Sequence, residues 1–232
     1  MDLPILYEDA DIVALNKPAG LITHSDGRTQ EETAEDWFKE KYTEVQVERP
    51  YVHRLDRDTS GVLIFAKNAA AYEFLRKQFH DREVQKTYLA IVTGVPKEKK
   101  GVIDFDIGRS RRDFHLRSAQ PKAKGRLREA LTRYEVIGET DGYSLLKVSP
   151  ETGRTHQIRV HLKAIHHPIV GDVLYAQGHS EALGIKRLGL HAYKIALTLP
   201  SGKPVEITAP IPPDLAPALL HFPEVEAKLG LS

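Results

Sequence analysis

The stretch VHRLDRDTSGVLIFAK, residues 52–67, joins a polar turn to a short run of apolar residues. The turn contains one His, two Arg and two Asp before it ends in Thr59-Ser60-Gly61. The run that follows, residues 62–66, is wholly apolar and predicts a buried strand. A carboxylate flanked by guanidinium groups at the mouth of such a strand is typical of a rigidly mounted catalytic acid. The stretch therefore predicts a catalytic carboxylate in this turn.

A second polar turn lies further along the chain, in ETGRTHQIRVHL, residues 151–162. The residues after this turn, 155–165, fit two structures. A strand would place His156, Ile158, Val160 and Leu162 on one face, whereas a helix would begin at Thr155 as N-cap and carry a stripe of Ile158, Leu162 and Ile165. We favour the helix because the segment is eleven residues long and stops just before Pro168. His166 would then take the left-handed conformation that usually falls to Gly.

The remaining pattern predicts mostly strands with a few helices and no βαβ alternation, hence an α+β domain with a mixed or antiparallel sheet. The predicted strands are residues 5–7, 12–15, 62–66, 86–92, 130–137, 143–148, 190–199 and 203–208, and the other predicted helices are 33–42 and 68–82. Four prolines between residues 210 and 217 predict an extended tail. The absence of an internal repeat or linker favours one catalytic domain, residues 1–232.

Composition excludes several classes of protein. The 232 residues are 41% apolar and 28% charged, as in ordinary soluble domains. The chain contains no Cys, so it can form neither disulfides nor thiolate metal sites, which fits a reducing, cytoplasmic compartment. Its first residues are acidic where a signal peptide needs basic ones. No apolar run is long enough to span a bilayer.

A basic run occupies residues 109–128, with eight Lys or Arg and a single acid, Asp113. Such a run fits either a solvated surface or a loop that contacts phosphates. Pro121 and Gly125 suit a mobile, extended segment, and Phe114 and His115 could stack on exposed bases. The cations are Arg109, Arg111, Arg112, Arg117, Lys122, Lys124, Arg126 and Arg128.

The motifs together resemble the RluA family of RNA pseudouridine synthases. The two turns are accompanied by NKPAGLITH (16–24), QKTYLAIVTG (85–94) and LGLHAYKIALTLPSGKPVEITAPIPPDL (188–215), in the family's order. The resemblance covers nearly the whole chain and implies a pseudouridine-synthase-like α+β domain with a catalytic cleft across its sheet. It also implies isomerisation of a flipped-out uridine in RNA, without cofactor or metal. Many relatives carry an extra N-terminal RNA-binding domain, and we expect the catalytic domain alone here.

The resemblance assigns the chemistry to three residues. Asp56 matches the catalytic aspartate, with attack at C1′ and support of an oxocarbenium-like or glycal intermediate both open as its role. Arg154 matches the basic residue that pairs with this aspartate and keeps it ionised. Tyr88 matches the tyrosine that stacks on the uracil, with proton transfer as a second role. Arg54 matches the residue that helps to displace the target base.

Other residues near these motifs are expected to bind the RNA. They are His53, Arg57, Thr59, Gln157, Arg109, Arg111, Arg112 and Arg117. The expected partner is a stem-loop of tRNA, large-subunit rRNA or both, bound by a monomer away from membranes. His156 and His161 lie five residues apart, which on a helix disfavours shared metal ligation, so structural histidines are expected.

Two other functions compete with this interpretation. A catalytically silent RNA-binding or ribosome-assembly protein could share the fold, but it would need no buried catalytic carboxylate. A metal-dependent phosphodiesterase would need a tight cluster of His and Asp ligands, and the sequence has no such spacing.

Overall fold

The computed structural model describes residues 1–25, 27, 30–111, 113, 116–120, 123–176 and 182–229, with only the backbone at 226 and 227. The chain divides into two compact units. Unit 1 comprises Met1–Lys86 and Ala192–Pro210, and unit 2 comprises Thr87–His191 and Ile211–Ser232. The single-domain division of the chain stays a prediction.

Twelve strands and five helices are assigned within the described residues. The strands are β1 (Ile5–Glu8), β2 (Ile12–Lys17), β3 (Ser60–Ala66), β4 (Gln85–Thr93), β5 (Lys100–Asp104), β6 (Ile107–Arg109), β7 (Arg117–Ser118), β8 (Lys124–Arg128), β9 (Leu131–Thr140), β10 (Tyr143–Pro150), β11 (Leu190–Thr198) and β12 (Pro204–Thr208). The helices are α1 (Ala34–Lys41), α2 (Ala69–His80), α3 (Gln157–Ala164), α4 (Ala216–Leu219) and α5 (Val225–Leu229). This content confirms the predicted α+β class.

The sheet of unit 1 has the order β1-β2-β3-β11-β12. The β1–β2, β2–β3 and β11–β12 pairs are antiparallel. Every residue of β3 is buried, as its apolar run predicts. Helix α2 begins after Asn68, whose side chain accepts a hydrogen bond from the Ala71 amide, and its Leu75 packs into a cluster with Ile64 and Ile195. This cluster supports β3 from one side, directly after the polar turn.

Unit 2 contains a second set of strands in the order β4-β10-β9-β5, with antiparallel β4–β10, β9–β10 and β5–β9 pairs. Helix α3 covers one face, where Ile158 and Leu162 pack against Leu146 and Val148. A separate three-stranded antiparallel sheet has the order β7-β6-β8. We call this sheet the basic sheet, because Arg109, Arg117 and the cations of β8 belong to it.

Three sequence expectations need correction. The basic run is not simply an extended loop, because its described residues include the three strands of the basic sheet. The proline-rich tail is not extended throughout, because Pro217 lies in the first turn of α4, where a missing amide hydrogen costs nothing. The favoured helix after the second turn is confirmed as α3, but its N-cap is His156 and not Thr155. His166 does adopt the expected left-handed conformation, with φ of 67°.

Position 61, where the polar turn ends, requires a glycine because the backbone of β11 packs closely against it. Its φ is +117°, and a Cβ there would lie 2.1 Å from the carbonyl oxygen of Ala192 on β11. Any side chain would therefore push β11 away from β3, at the point where the turn joins the strand.

Among the described residues, no helix combines the length and apolar character that crossing a bilayer requires.

We predict that Gly61→Ala destabilises the protein much more than Gly142→Ala. Gly142 has φ of +74° with nothing within 4 Å of its Cβ position, so its substitution isolates the backbone cost, about 1–2 kcal/mol. Gly61→Ala adds the overlap with Ala192, at about a further 1–3 kcal/mol. Urea unfolding of both variants measures the difference. Equal losses would contradict the close approach of β3 and β11.

Candidate active site

The turn that carries Asp56 is fixed by a buried lysine. Lys17, at the end of β2, is 0% exposed, and its ammonium group donates to three backbone carbonyl oxygens. These belong to Pro18 at 2.8 Å, Leu21 at 2.7 Å and Arg57 at 3.0 Å. The Arg57 carbonyl also accepts from the Gly20 amide at 2.9 Å. The NKPAG segment is thereby tied to the residue directly after Asp56.

A second tie holds the residue before Asp56. The Thr23 hydroxyl donates to the Leu55 carbonyl at 2.9 Å and accepts from the Leu55 amide at 3.1 Å. The Asp56 carbonyl in turn accepts from the Thr59 amide at 3.1 Å, which closes the turn. The backbone of Asp56 is thus constrained on both sides, and its side chain is half-buried. Such over-determined backbone is what a precisely placed catalytic group needs.

His53 links the same turn to β3 and α2. Its Nε2 accepts a hydrogen bond from the Ile64 amide of β3 at 3.1 Å, and its ring stacks on Phe79 of α2 with centroids 5.0 Å apart. Burial, and then the nearby Lys86 ammonium, lower the pKa of His53 to about 3. The ring is therefore neutral near pH 7, as its acceptor role requires. Burial also lowers the pKa of Lys86, to about 8.

The two arginines beside Asp56 point to different uses. Arg54 is exposed, which suits contact with a base or phosphate. Arg57 is engaged in a surface ion pair with Glu31, at 2.5 Å. A second bond joins Nη2 of Arg57 to the other carboxylate oxygen of Glu31 at 3.2 Å, so the pair is bidentate. Thr59 is only 2% exposed, and its hydroxyl finds no hydrogen-bond partner among the described residues.

In unit 2, Arg154 is held by the side chain of Gln157. The Gln157 amide oxygen accepts from the Arg154 amide at 3.0 Å and from the Thr152 hydroxyl at 2.7 Å. The Arg154 Nε donates to the carbonyl of Glu129 at 3.0 Å. Gln157 itself is 4% exposed. The Gln157 side chain therefore holds the backbone of Arg154, and the Glu129 carbonyl, just before β9, holds its guanidinium.

The Gln157 side chain continues into a buried hydrogen-bond chain. Its amide nitrogen donates to the Leu131 carbonyl and to the Thr132 hydroxyl, both at 3.0 Å. The Thr132 hydroxyl bonds His161 Nδ1 at 2.9 Å, and His161 Nε2 bonds the Phe105 carbonyl at 2.9 Å. Because a carbonyl only accepts, Nε2 carries the proton and Nδ1 accepts from Thr132. Burial lowers the pKa of His161, which keeps this neutral arrangement.

Tyr88 lies on β4 opposite Val148 of β10. It is half-buried and packs against the apolar cluster that includes Leu146 and Ile158. One part of the ring is thus fixed in the core while another part remains accessible. An aromatic ring mounted in this way can form a wall for a planar base.

The basic sheet presents its cations to solvent. All five residues of β8 are exposed, among them Lys124, Arg126 and Arg128. Arg109 and Arg111 are exposed and Arg117 is half-buried. Arg112, Phe114, His115, Pro121 and Lys122 lie outside the described residues.

The structure brings the predicted residues together in three groups: His53, Arg54, Asp56, Arg57 and Thr59 in one turn, Arg154 and Gln157 in one hydrogen-bond network, and Arg109 and Arg117 in the basic sheet. Gln157 and Thr59 are buried and His53 is half-buried. The side chains of His53 and Gln157 bond other groups of the protein, and the RNA contacts predicted for all three residues stay predictions.

Sequence reasoning missed Lys17 as an anchor, although the NKPAG motif contains it. It also missed Tyr175, which contacts His156. Within the described ranges, no three His, Cys, Asp or Glu side chains group together as metal ligands would.

Comparison with known proteins gives a consistent match. Residues 11–164 match the family model described as RNA pseudouridylate synthase. Ribosomal large subunit pseudouridine synthase D of Borreliella burgdorferi is 39% identical over 202 residues, covering 84% of this chain and 61% of that protein. tRNA pseudouridine synthase C of Haemophilus ducreyi is 38% identical over 218 residues, covering 86% of this chain and 87% of that protein. The chain thus spans less than two thirds of the length of the first of these relatives.

A solved structure gives the same result. The structure of Human RNA Pseudouridylate Synthase Domain Containing 1 matches with a TM-score of 0.77 at 28% identity. The match covers 92% of this chain and 86% of the human one. The similarity therefore extends beyond the conserved order of short motifs to the arrangement of the strands and helices.

We predict that acid weakens the fold partly through His53. Its pKa is depressed when folded, so the unfolded chain binds more protons between about pH 6.5 and 3. The contribution of His53 to the free energy of unfolding is therefore complete above pH 6.5 and is lost as the pH falls towards 3. His53→Gln keeps an acceptor for the Ile64 amide without titrating. The wild type should lose about 1–2 kcal/mol more than this variant between pH 7 and 5.

Chemical denaturation at the two pH values measures this difference. His80→Gln is the control, because the His80 side chain is 84% exposed. Equal acid sensitivity of the wild type and His53→Gln would contradict the acceptor role of the ring.

Proposed function

The chain belongs to the RNA pseudouridylate synthase family, and we propose that it isomerises uridine to pseudouridine within RNA. The observation that carries the proposal is the constrained turn of Asp56, which Lys17 and Thr23 hold at the entrance of a fully buried strand. A protein that only bound RNA would gain nothing from fixing a carboxylate in this way. The basic sheet adds the exposed positive charge that an RNA substrate requires.

The reaction breaks the N1–C1′ bond, turns the detached uracil and joins C5 to C1′. C5 releases its hydrogen as a proton and N1 gains one, so the product is an isomer of uridine. We propose that the Asp56 carboxylate acts at C1′, as the nucleophile or as the charge that supports a cationic sugar. Tyr88 offers its ring as a wall for the uracil while the base turns. Arg154 supplies positive charge to the same reaction, and its anchored backbone fits that task. No protein group needs a metal or cofactor for these steps.

RNA binding is proposed to rest on Arg54 and the basic sheet. A stacked uridine must leave its helix before reaction, and the exposed Arg54 guanidinium can occupy the vacated space. One relative named above acts on large-subunit rRNA and the other on tRNA, so stem-loops of either RNA are candidate substrates. We further propose that the protein acts as a monomer in the cytoplasm. Activity on separate tRNA and rRNA pools distinguishes the substrates.

We predict that Asp56→Asn abolishes tritium release from RNA labelled at uridine C5, while the affinity for RNA changes less than about threefold. The carboxylate carries the bond-breaking step, whereas phosphate contacts carry most of the affinity. Asp58→Asn is a matched control in the same turn, also half-buried. It should retain most of the activity. Near-normal turnover of Asp56→Asn would remove Asp56 from the mechanism.

We also predict that the basic sheet controls the salt dependence of RNA binding. Replacing Lys124, Arg126 and Arg128 by Ala should weaken binding and flatten the slope of log K against log salt concentration by about 2–3, because fewer counterions are released. The chemical step at saturating RNA should be largely kept. A triple variant of Lys39, Arg76 and Lys77 removes the same charge from exposed positions of α1 and α2. An equal change of slope in the two variants would show that only net charge matters.

A further inference from the structure

Tyr175 is a buried tyrosine of unit 2 that is held very firmly. It is 5% exposed, and its backbone amide donates to the Asp172 carboxylate at 3.1 Å. Asp172 is itself 1% exposed and receives two hydrogen bonds from Arg159, at 2.8 and 2.7 Å. The Arg159 guanidinium also lies over the Tyr175 ring, 5.0 Å from its centroid. This mounting gives the Tyr175 hydroxyl a fixed position.

The Tyr175 hydroxyl joins two segments that carry functional residues. It accepts a hydrogen bond from the Arg117 amide of β7 at 3.0 Å. It also bonds Nδ1 of His156 at 2.7 Å. A hydroxyl that accepts from an amide still has its own proton, which it can donate to Nδ1 of His156. One oxygen atom thereby connects the basic sheet with the residue that begins α3.

His156 is unusual in its backbone. Its φ is 58°, a left-handed conformation that residues with a Cβ adopt only at a cost in free energy. It lies between Arg154 and Gln157, whose side chain binds the Arg154 amide. The direction in which the chain leaves the Arg154 turn therefore depends on this conformation. The bond from Tyr175 is one of the contacts that maintain it.

The apolar residues of the basic sheet also pack against Tyr175. Ile107 of β6, Ala119 beyond β7 and Ala130 beyond β8 form one buried cluster with Tyr175 and with Val160 of α3. The exposed cations are on a sheet whose buried side thus packs on α3. Movement of the sheet and movement of the Arg154 turn must both disturb the environment of Tyr175.

We propose that Tyr175 is a positioning residue that couples the basic sheet to the Arg154 turn. RNA held by the basic sheet is then aligned with Arg154 through one hydroxyl group, without any contact of Tyr175 with RNA. This inference rests on the proposed function for its catalytic consequence. The coupling itself is a property of the protein alone.

Tyr175→Phe removes only the hydroxyl. Tritium release at saturating RNA should fall about fivefold, the effect of one lost hydrogen bond. The salt slope of RNA binding should flatten by about 1, because a loosened basic sheet contacts fewer phosphates. Without RNA, hydrogen exchange of the Arg117 and Arg154 amides should accelerate in the variant. A merely structural role would lower the unfolding midpoint and leave the slope and the turnover of the folded protein unchanged.

Two further variants make the test specific. Tyr143→Phe removes the hydroxyl of a half-buried tyrosine of the same unit and should match the wild type. His156→Asn tolerates the left-handed backbone but loses the ring nitrogen, so combining it with Tyr175→Phe should be no worse than the more severe single change. The proposal would be overturned if the losses of turnover in the two single variants multiplied in the double variant. It would also be overturned if Tyr175→Phe showed the hydrogen exchange and turnover of the wild type. A wild type without tritium release would instead overturn the proposed function, while hydrogen exchange would still decide the coupling.

Discussion

The buried ammonium group of Lys17 is the contact on which the Asp56 turn depends. A turn cannot pair its own carbonyl groups as a strand does, and each carbonyl left unpaired inside the protein costs free energy. Lys17 satisfies three of them at once, from two segments that are 40 residues apart in sequence. Burying a lysine is costly unless all its donors are used. The same contacts that meet this requirement bring NKPAG and HRLD together, so the position of Asp56 follows from the placement of β2.

Gln157 solves the corresponding problem in unit 2. Its amide oxygen serves Arg154 and Thr152, and its amide nitrogen serves the start of β9. The hydrogen-bond network continues from Gln157 to the Thr132 hydroxyl and from there to His161. Each group in it therefore has a defined role as donor or acceptor. A fully paired buried network of this kind specifies one arrangement, because any shift would leave several polar groups unpaired. Arg154 therefore inherits its position from α3 and β9 together.

Much of the fold could be predicted because its main elements have local signals. The apolar run of β3 and the Asn68 cap of α2 are examples, and both agree with the structure. The strands of the basic sheet escaped prediction since they are two to five residues long and half of their residues are charged, without the alternation that marks a half-buried strand. Their pairing depends on packing against Tyr175, which is distant in sequence.

The candidate site was predictable in part for a similar reason. Resemblance to a family assigned catalytic roles to Asp56, Arg154 and Tyr88 from the residues around them, and these roles stay predictions. Lys17 could not be recognised as an anchor, because a lysine before Pro18 in a polar turn usually faces solvent. Its burial follows from three carbonyl groups that only the folded chain brings together. The partners of Gln157 within the protein were hidden for the same reason, since a glutamine's partners cannot be read from its own neighbours in sequence, and its predicted contact with RNA stays a prediction.

His53 and His161 serve as neutral hydrogen-bonding groups inside the protein and not as charged ones. His53 and His161 both have lowered pKa values because they are buried, and each ring is bonded to a backbone amide or carbonyl. An imidazole offers a donor and an acceptor on one flat ring, so it can fill a gap between a strand and a turn. Such rings stay neutral around pH 7 and add nothing to RNA binding. The exposed positive charge of the basic sheet comes from Lys and Arg side chains. We therefore expect the affinity for RNA to respond strongly to salt.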